Sequence, residues 1–172
     1  MTINTKTLVT VAFLIALSFA GSHLRIFGTI AFDSLPGFLA ALMLGPAYGA
    51  LVGFLGHLFT AFGAGFPLSV PLHLTIAVSM ALTMFVYGHT YKALQTRFSQ
   101  TTAFVATGVV GVLLNAPVSL ALSMSVMWLM AGREAAMGLL VLLPALAAAS
   151  AANIVLRITV FKSLAKVLSR AV

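Results

Sequence analysis

The chain has 172 residues, of which 62% are hydrophobic and only 6% are charged. A soluble domain carries roughly a quarter charged residues, so most of the surface of this fold cannot face water. We predict an all-α integral membrane protein that forms a single transmembrane domain over residues 1–172. The net charge of +7 would indicate a nucleic-acid partner in a soluble protein. In a membrane protein, the distribution of the basic residues instead indicates the topology. We therefore expect the chain to be surrounded by lipid and to bind no nucleic acid.

A spanning helix needs about 20 mostly apolar residues, and the hydrophobic runs predict six helices. They are expected at about 7–22, 34–44, 47–62, 72–91, 102–130 and 136–161. Gly45-Pro46 separates the second and third helices into a hairpin, and Pro117 is expected to kink the fifth helix. The first run, after Lys6, also resembles a secretory signal, but the equally apolar remainder of the chain favours a retained helix.

The basic residues predict the topology. If six segments cross the membrane, one side holds six basic residues: Lys6, Lys92, Arg97, Lys162, Lys166 and Arg170. The other side holds Arg25 and Arg133 together with both acids, Asp33 and Glu134. By the positive-inside rule, the six-helix bundle has both termini in the cytoplasm.

Polar side chains inside a membrane are costly unless they are paired, so they tend to face the bundle interior or a wet cavity. In the predicted topology, several polar or aromatic side chains fall toward the outer side or near the middle of a helix. Six of them are candidates for binding a small solute: Asp33, His57, His73, Asn115, Trp128 and Asn153.

Each candidate also has a structural explanation. The histidines and asparagines could tie neighbouring helices together by hydrogen bonds. Asp33 could cap the second helix or pair with Arg25, and Trp128 could anchor the bundle at the interface. We expect Arg157, which lies close to the basic end of the last helix, to snorkel to the inner surface.

Signatures of an enzyme are missing from the sequence. The two acids lie in separate loops, the four histidines lack metal-ligand spacing on one helix face, and there is no cysteine. No nucleophile elbow and no phosphate-binding glycine loop occurs. We therefore expect no enzyme activity, no cofactor and no bound metal, and energy for any transport has to come from a partner.

The first helix carries a stripe of small residues. Ala12, Ala16 and Ala20 recur every four residues, so they lie on one face of the helix. Such a stripe lets another helix pack at short distance. It serves either packing within the chain or, if it faces outward, docking of a second membrane protein.

Together these features resemble the substrate-binding S components of energy-coupling factor (ECF) vitamin transporters. The resemblance covers essentially the whole chain and is carried by its length, the six helices, the motif Ala12-xxx-Ala16 and the segment FDSLPGFLAALMLGPAYGALVGFLGHL from Phe32 to Leu58. It implies a high-affinity binding subunit in the bacterial cytoplasmic membrane. It also implies that the alanine motif meets a transmembrane coupling subunit, and that two ATPase subunits supply the energy.

The same resemblance also indicates which ligand the protein would bind. Gly56-His57 and the segment GFPLSVPLHL from Gly65 to Leu74 look most like S components assigned to α-ribazole, a cobalamin precursor. Two histidines, two asparagines and little charge suit a mostly neutral ring that bears hydroxyls. Carriers of pantothenate and of pyrimidine precursors share the same frame. A structural or regulatory subunit without a ligand would instead lack a cavity among the candidate residues.

Overall fold

The computed structural model describes residues 4–23 and 33–168, and within these ranges every regular element is a helix. Two irregular helices join the regular ones: a π-helical turn, Leu114–Val118, follows α5, and a 3-10 helix, Leu139–Leu142, follows α6. The regular helices are α1 (Thr5–Ser22), α2 (Leu35–Met43), α3 (Pro46–Gly63), α4 (Val70–Leu94), α5 (Gln100–Leu113), α6 (Ser119–Gly138) and α7 (Leu143–Leu168).

The first four predicted helices correspond to α1 to α4, and the last two are each divided among several elements. The predicted helix 102–130 corresponds to α5, the π-helical turn and most of α6. Pro117 lies in the π-helical turn, because a residue without an amide hydrogen cannot continue the regular hydrogen-bond ladder. Gly132 has a left-handed φ of 85° and interrupts α6 inside the predicted loop 131–135. The predicted sixth helix therefore comprises the end of α6, the 3-10 helix and α7.

Three helical segments of the described ranges are long and apolar enough to cross a membrane: Thr5–Ser22, Val70–Leu94 and Gln100–Phe161. The last segment contains 62 residues, and a straight helix of that length would measure about 93 Å, against a hydrocarbon core of about 30 Å. The segment is instead folded back on itself, since α5 packs against α7. Large apolar side chains such as Leu8, Val105 and Leu129 cover the outer surface, as expected of a protein surrounded by lipid.

The short helix α2 lies at the centre of the fold, where it contacts α1, α3, α4 and α7. Its residues 36–41 are all buried. Gly45, with a φ of 109°, turns the chain back so that α3 runs against α2. The two helices approach closely at Gly49, where an added Cβ atom would lie 2.5 Å from the Cβ atom of Ala41. A side chain at position 49 would therefore push the hairpin apart.

Arg157 on α7 is fully buried, with 0% of its surface exposed. Its guanidinium carbon lies 4.9 Å from the ring centre of Tyr87 and 5.3 Å from that of Phe104. Among the described residues, no hydrogen-bond acceptor reaches its three side-chain nitrogens. The expectation that Arg157 snorkels to the surface is therefore wrong. Aromatic rings of α4 and α5 enclose the side chain, and their cation–π attraction offsets part of the cost of burying the charge.

The contact at Gly49 gives a test of the central hairpin. Gly49→Ala should lower the free energy of unfolding by about 1–3 kcal/mol, because the new methyl group meets the backbone and Cβ atom of Ala41. Gly138→Ala is the matched control, since a Cβ atom there meets nothing within 4 Å. Thermal unfolding of the detergent-purified variants measures the difference. Equal melting temperatures for both variants would contradict the packing of α2 against α3.

Candidate functional site

A cavity of about 220 Å³ lies near the beginnings of α2, α4 and α7. One part of its wall is apolar: Leu68, Leu72, Ile76, Met80, Leu120, Leu139, Leu142, Leu146 and Ala149. The other part is polar: Asp33, Ser34, His57, Asn115, Ser119, Ser123, Ser150 and Asn153. An apolar cavity with a few fixed polar groups is the usual form of a small-molecule site.

Helix spacing brings one set of polar groups to the cavity. Ser119 and Ser123 lie four residues apart on α6, and Ser150 and Asn153 lie three apart on α7, so each pair shares a helix face. Asn115 reaches the same wall from the π-helical turn, an irregularity that occurs often at functional sites. The Nδ2 atom of Asn115 donates a hydrogen bond of 3.3 Å to Ser150 Oγ. This bond joins the two sides of the folded-back segment at the cavity wall.

Two histidines form a hydrogen-bonded chain, of which His57 lines the cavity and His73 does not. His73 Nε2 lies 2.6 Å from the carbonyl oxygen of Pro67, and His73 Nδ1 lies 3.2 Å from His57 Nε2. A carbonyl oxygen only accepts, so Nε2 of a neutral His73 carries the hydrogen, its Nδ1 accepts, and His57 Nε2 donates. The remaining nitrogen, His57 Nδ1, lies 3.7 Å from Asp33 Oδ2. Within residues 4–23 and 33–168, no three histidine or acidic side chains converge as ligands for a metal ion.

The histidine chain also holds the connection between α3 and α4. Phe66 and Leu68 have left-handed φ values of 51° and 78°, a conformation that residues other than glycine rarely adopt. The carbonyl group of Pro67, between them, accepts the bond from His73. Since Leu68 lines the cavity, His73 fixes both the neighbouring histidine and one edge of the cavity.

The side chain of Asn153 forms hydrogen bonds with backbone groups of the protein. Its Oδ1 atom accepts a hydrogen bond of 3.0 Å from the backbone N–H of Leu35, and its Nδ2 atom donates one of 2.8 Å to the carbonyl oxygen of Ala149. The first N–H groups of a helix have no partner inside the helix, so Asn153 supplies a cap of α2. Among the described residues Asp33 makes no capping bond to α2, so that alternative for Asp33 is wrong, and its pairing with Arg25 lies outside the described residues.

Four of the six predicted solute-binding residues line the cavity: Asp33, His57, Asn115 and Asn153. His73 lies behind this wall, where its ring orients that of His57. Trp128 does not reach the cavity. It is 60% exposed and lines a separate surface depression together with Arg133, a position that fits the alternative of an interfacial anchor.

The serines and the apolar residues of the cavity wall were not predicted from the sequence. Ser119 and Ser123 follow Asn115 at intervals of four residues, which is the spacing of one helix face. This pattern was a usable signal for the serines. Leucines that line a cavity and leucines that face lipid look alike in a sequence, so the apolar wall left no signal.

The alanine stripe of α1 faces away from the rest of the described chain. Ala12, Ala16 and Ala20 are exposed, whereas Val11 and Leu14 are buried in the core cluster with residues of α2 and α3. Packing within the described chain, one of the two explanations for the stripe, therefore does not use it.

A cavity with polar groups inside a bundle of apolar helices is typical of a membrane protein that binds a small solute. A family model for the substrate-specific component of ECF transporters matches residues 6–165. The chain belongs to this family, whose members are substrate-binding membrane subunits that associate with ECF transmembrane and ATPase subunits and are not enzymes. The resemblance found in the sequence is thus confirmed at the level of the family. Comparison with curated proteins gave no match, and neither did comparison with solved structures.

The capping bond from Asn153 leads to a prediction about stability. Asn153→Ala should lower the stability of the ligand-free protein by about 0.5–2 kcal/mol, because the first N–H of α2 loses its partner. Asn115→Ala, the same truncation at another residue that lines the cavity, should have a smaller effect, since it removes one side-chain bond of 3.3 Å. Thermal unfolding without added ligand compares the two. An equal or larger loss for Asn115→Ala would contradict the capping role.

Proposed function

We propose that the cavity is the ligand site of this ECF subunit and that the ligand is a vitamin or vitamin precursor. A cobalamin precursor such as α-ribazole is the first choice. The proposal rests on the cavity itself, because polar groups from the residues just before α2 and from α3, α6 and α7 face one cavity in an otherwise apolar protein. A structural or regulatory subunit needs no such space, so the cavity favours a ligand-binding role.

The size of the cavity favours a precursor over a large intact cofactor. Its volume of about 220 Å³ lies below the range of roughly 300–1,000 Å³ that is usual for sites of drug-sized ligands. Four serine hydroxyls in the wall can accept hydrogen bonds, and all but Ser123, which donates to the carbonyl oxygen of Ser119, can also donate to a ligand. This set suits a ring that bears hydroxyl groups. Pantothenate or a pyrimidine precursor is the alternative cargo on the same scaffold.

The proposed topology has six membrane crossings, with both termini in the cytoplasm of a bacterial cell. Lys92 and Arg97 are exposed where α4 leads into α5, whereas Arg133 and Glu134 are exposed at the interruption of α6. The side with the greater excess of basic residues is the cytoplasmic one. The beginning of α4, and with it the cavity, then lies toward the outside, where the ligand arrives.

The exposed alanines are the proposed contact with the transmembrane coupling subunit. Ala12, Ala16 and Ala20 leave a smooth face on α1, and small side chains allow two helices in a membrane to approach closely. The chain has no phosphate-binding glycine loop, so two ATPase subunits attached to the coupling subunit would supply the energy.

A thermal-shift panel tests the proposed function. The detergent-purified protein would be heated with α-ribazole, pantothenate, pyrimidine precursors and other vitamins, one at a time. A compound present at 100 times its dissociation constant should stabilise the native state by about 2.7 kcal/mol. A clear shift with one compound is the expected result and would identify the cargo. The absence of any shift at millimolar concentrations would contradict a high-affinity binder of this class.

A further inference from the structure

The hydrogen-bond polarity of the histidine chain determines what the cavity wall offers to a ligand. The carbonyl oxygen of Pro67 fixes the direction of donation, so a neutral His57 uses its only N–H to reach His73. His57 Nδ1 is then an acceptor. It is buried and has no hydrogen-bond partner among the described residues. Asp33 Oδ2, which is also an acceptor, lies 3.7 Å from this nitrogen.

Two neighbouring acceptors without a donor between them are unfavourable, because their lone pairs repel each other and the buried Nδ1 atom gains no bond in place of water. A ligand donor placed between them would relieve this. An amino group or a pair of adjacent hydroxyls has two hydrogens and would satisfy both atoms. A carboxylate or phosphate has only acceptors at neutral pH and would satisfy neither.

The charge of the cavity wall also disfavours an anionic ligand. Asp33 is the one acidic residue among the described lining residues. No described lysine or arginine lines the cavity. Arg157 is enclosed by Tyr87 and Phe104 and is not a lining residue. Among the described lining residues, an anionic ligand would therefore meet a carboxylate and no opposing cation.

We propose that Asp33 and His57 form a donor-reading subsite that selects a neutral or cationic ligand bearing N–H or O–H groups and rejects its phosphorylated or carboxylated relatives. This inference rests on the proposed function, since it assumes that the cavity holds the ligand. It makes Asp33 and His57 the residues that determine specificity. His73 is a positioning residue, which sets the direction of the His57 hydrogen.

Matched pairs of probes test the subsite: α-ribazole with its 5′-phosphate, thiamine with its monophosphate, and pantothenol with pantothenate. Calorimetric titration of the purified chain should find binding for the uncharged or cationic member of a pair. The anionic group should weaken that binding by about 100-fold or more. Equal or tighter binding of an anionic member would overturn the inference while leaving the chain a ligand-binding subunit. Failure of every probe to bind would overturn the proposed function and the inference with it.

Two variants separate a role in ligand recognition from a role in folding. Asp33→Asn keeps the shape of the side chain and removes its charge. It should weaken binding of the preferred member of a pair by at least about 10-fold. It should also reduce the ratio of the affinities of the preferred and the anionic member. His57→Gln retains a donor for His73 but lacks the Nδ1 acceptor, and should weaken binding by a similar factor. Glu134→Gln, at the other acid of the chain, is the control and should change neither value. A ratio between the two members of a pair that stays constant in Asp33→Asn would contradict the subsite, because a general loss of folding weakens both members equally.

Discussion

The backbone N–H groups in the first turn of a helix need hydrogen-bond partners outside that helix. For α2, a helix of nine residues at the centre of an apolar protein, this requirement shapes the fold around the cavity. In α2, the backbone N–H of Leu35 bonds to Asn153, which is 118 residues away in the sequence. Without water in the surroundings, each such group has to be satisfied by the protein. The bond therefore ties the start of α2 to α7. The cavity lies beside this junction, and residues of α3, α4 and α6 complete its wall.

The polar residues at this site divide into two kinds. Asn153 and His73 have their hydrogen-bonding groups engaged with the protein, and they hold α2 and the α3–α4 connection in place. Asp33 and the Nδ1 atom of His57 keep accepting capacity that the described protein atoms do not use. A rigid supporting layer behind a few available groups is what a selective site requires. The same histidine that fixes the strained connection thus also fixes the polarity of the ligand-facing ring.

The sequence predicted the helices well because lipid imposes long apolar runs and because Gly45-Pro46 and Pro117 punctuate them. It also identified four of the cavity residues, since a polar side chain in an apolar run stands out. It could not determine which way each side chain turns. Asn153 caps a distant helix, Trp128 lies outside the cavity, and Arg157 is enclosed by aromatic rings, and each of these outcomes depends on contacts between segments far apart in the chain.

The most direct test of the central claim is whether ligand binding depends on the volume of the cavity. Ala149 lines the cavity, whereas its neighbour Ala148 is exposed, so Ala149→Phe and Ala148→Phe add the same ring inside and outside it. Calorimetric titration with α-ribazole, or with the compound that gives the largest thermal shift, would compare both variants with the unaltered chain. We expect one bound molecule per chain for the unaltered protein and for Ala148→Phe, and no binding for a folded Ala149→Phe. Undiminished binding by Ala149→Phe would contradict the placement of the ligand in this cavity.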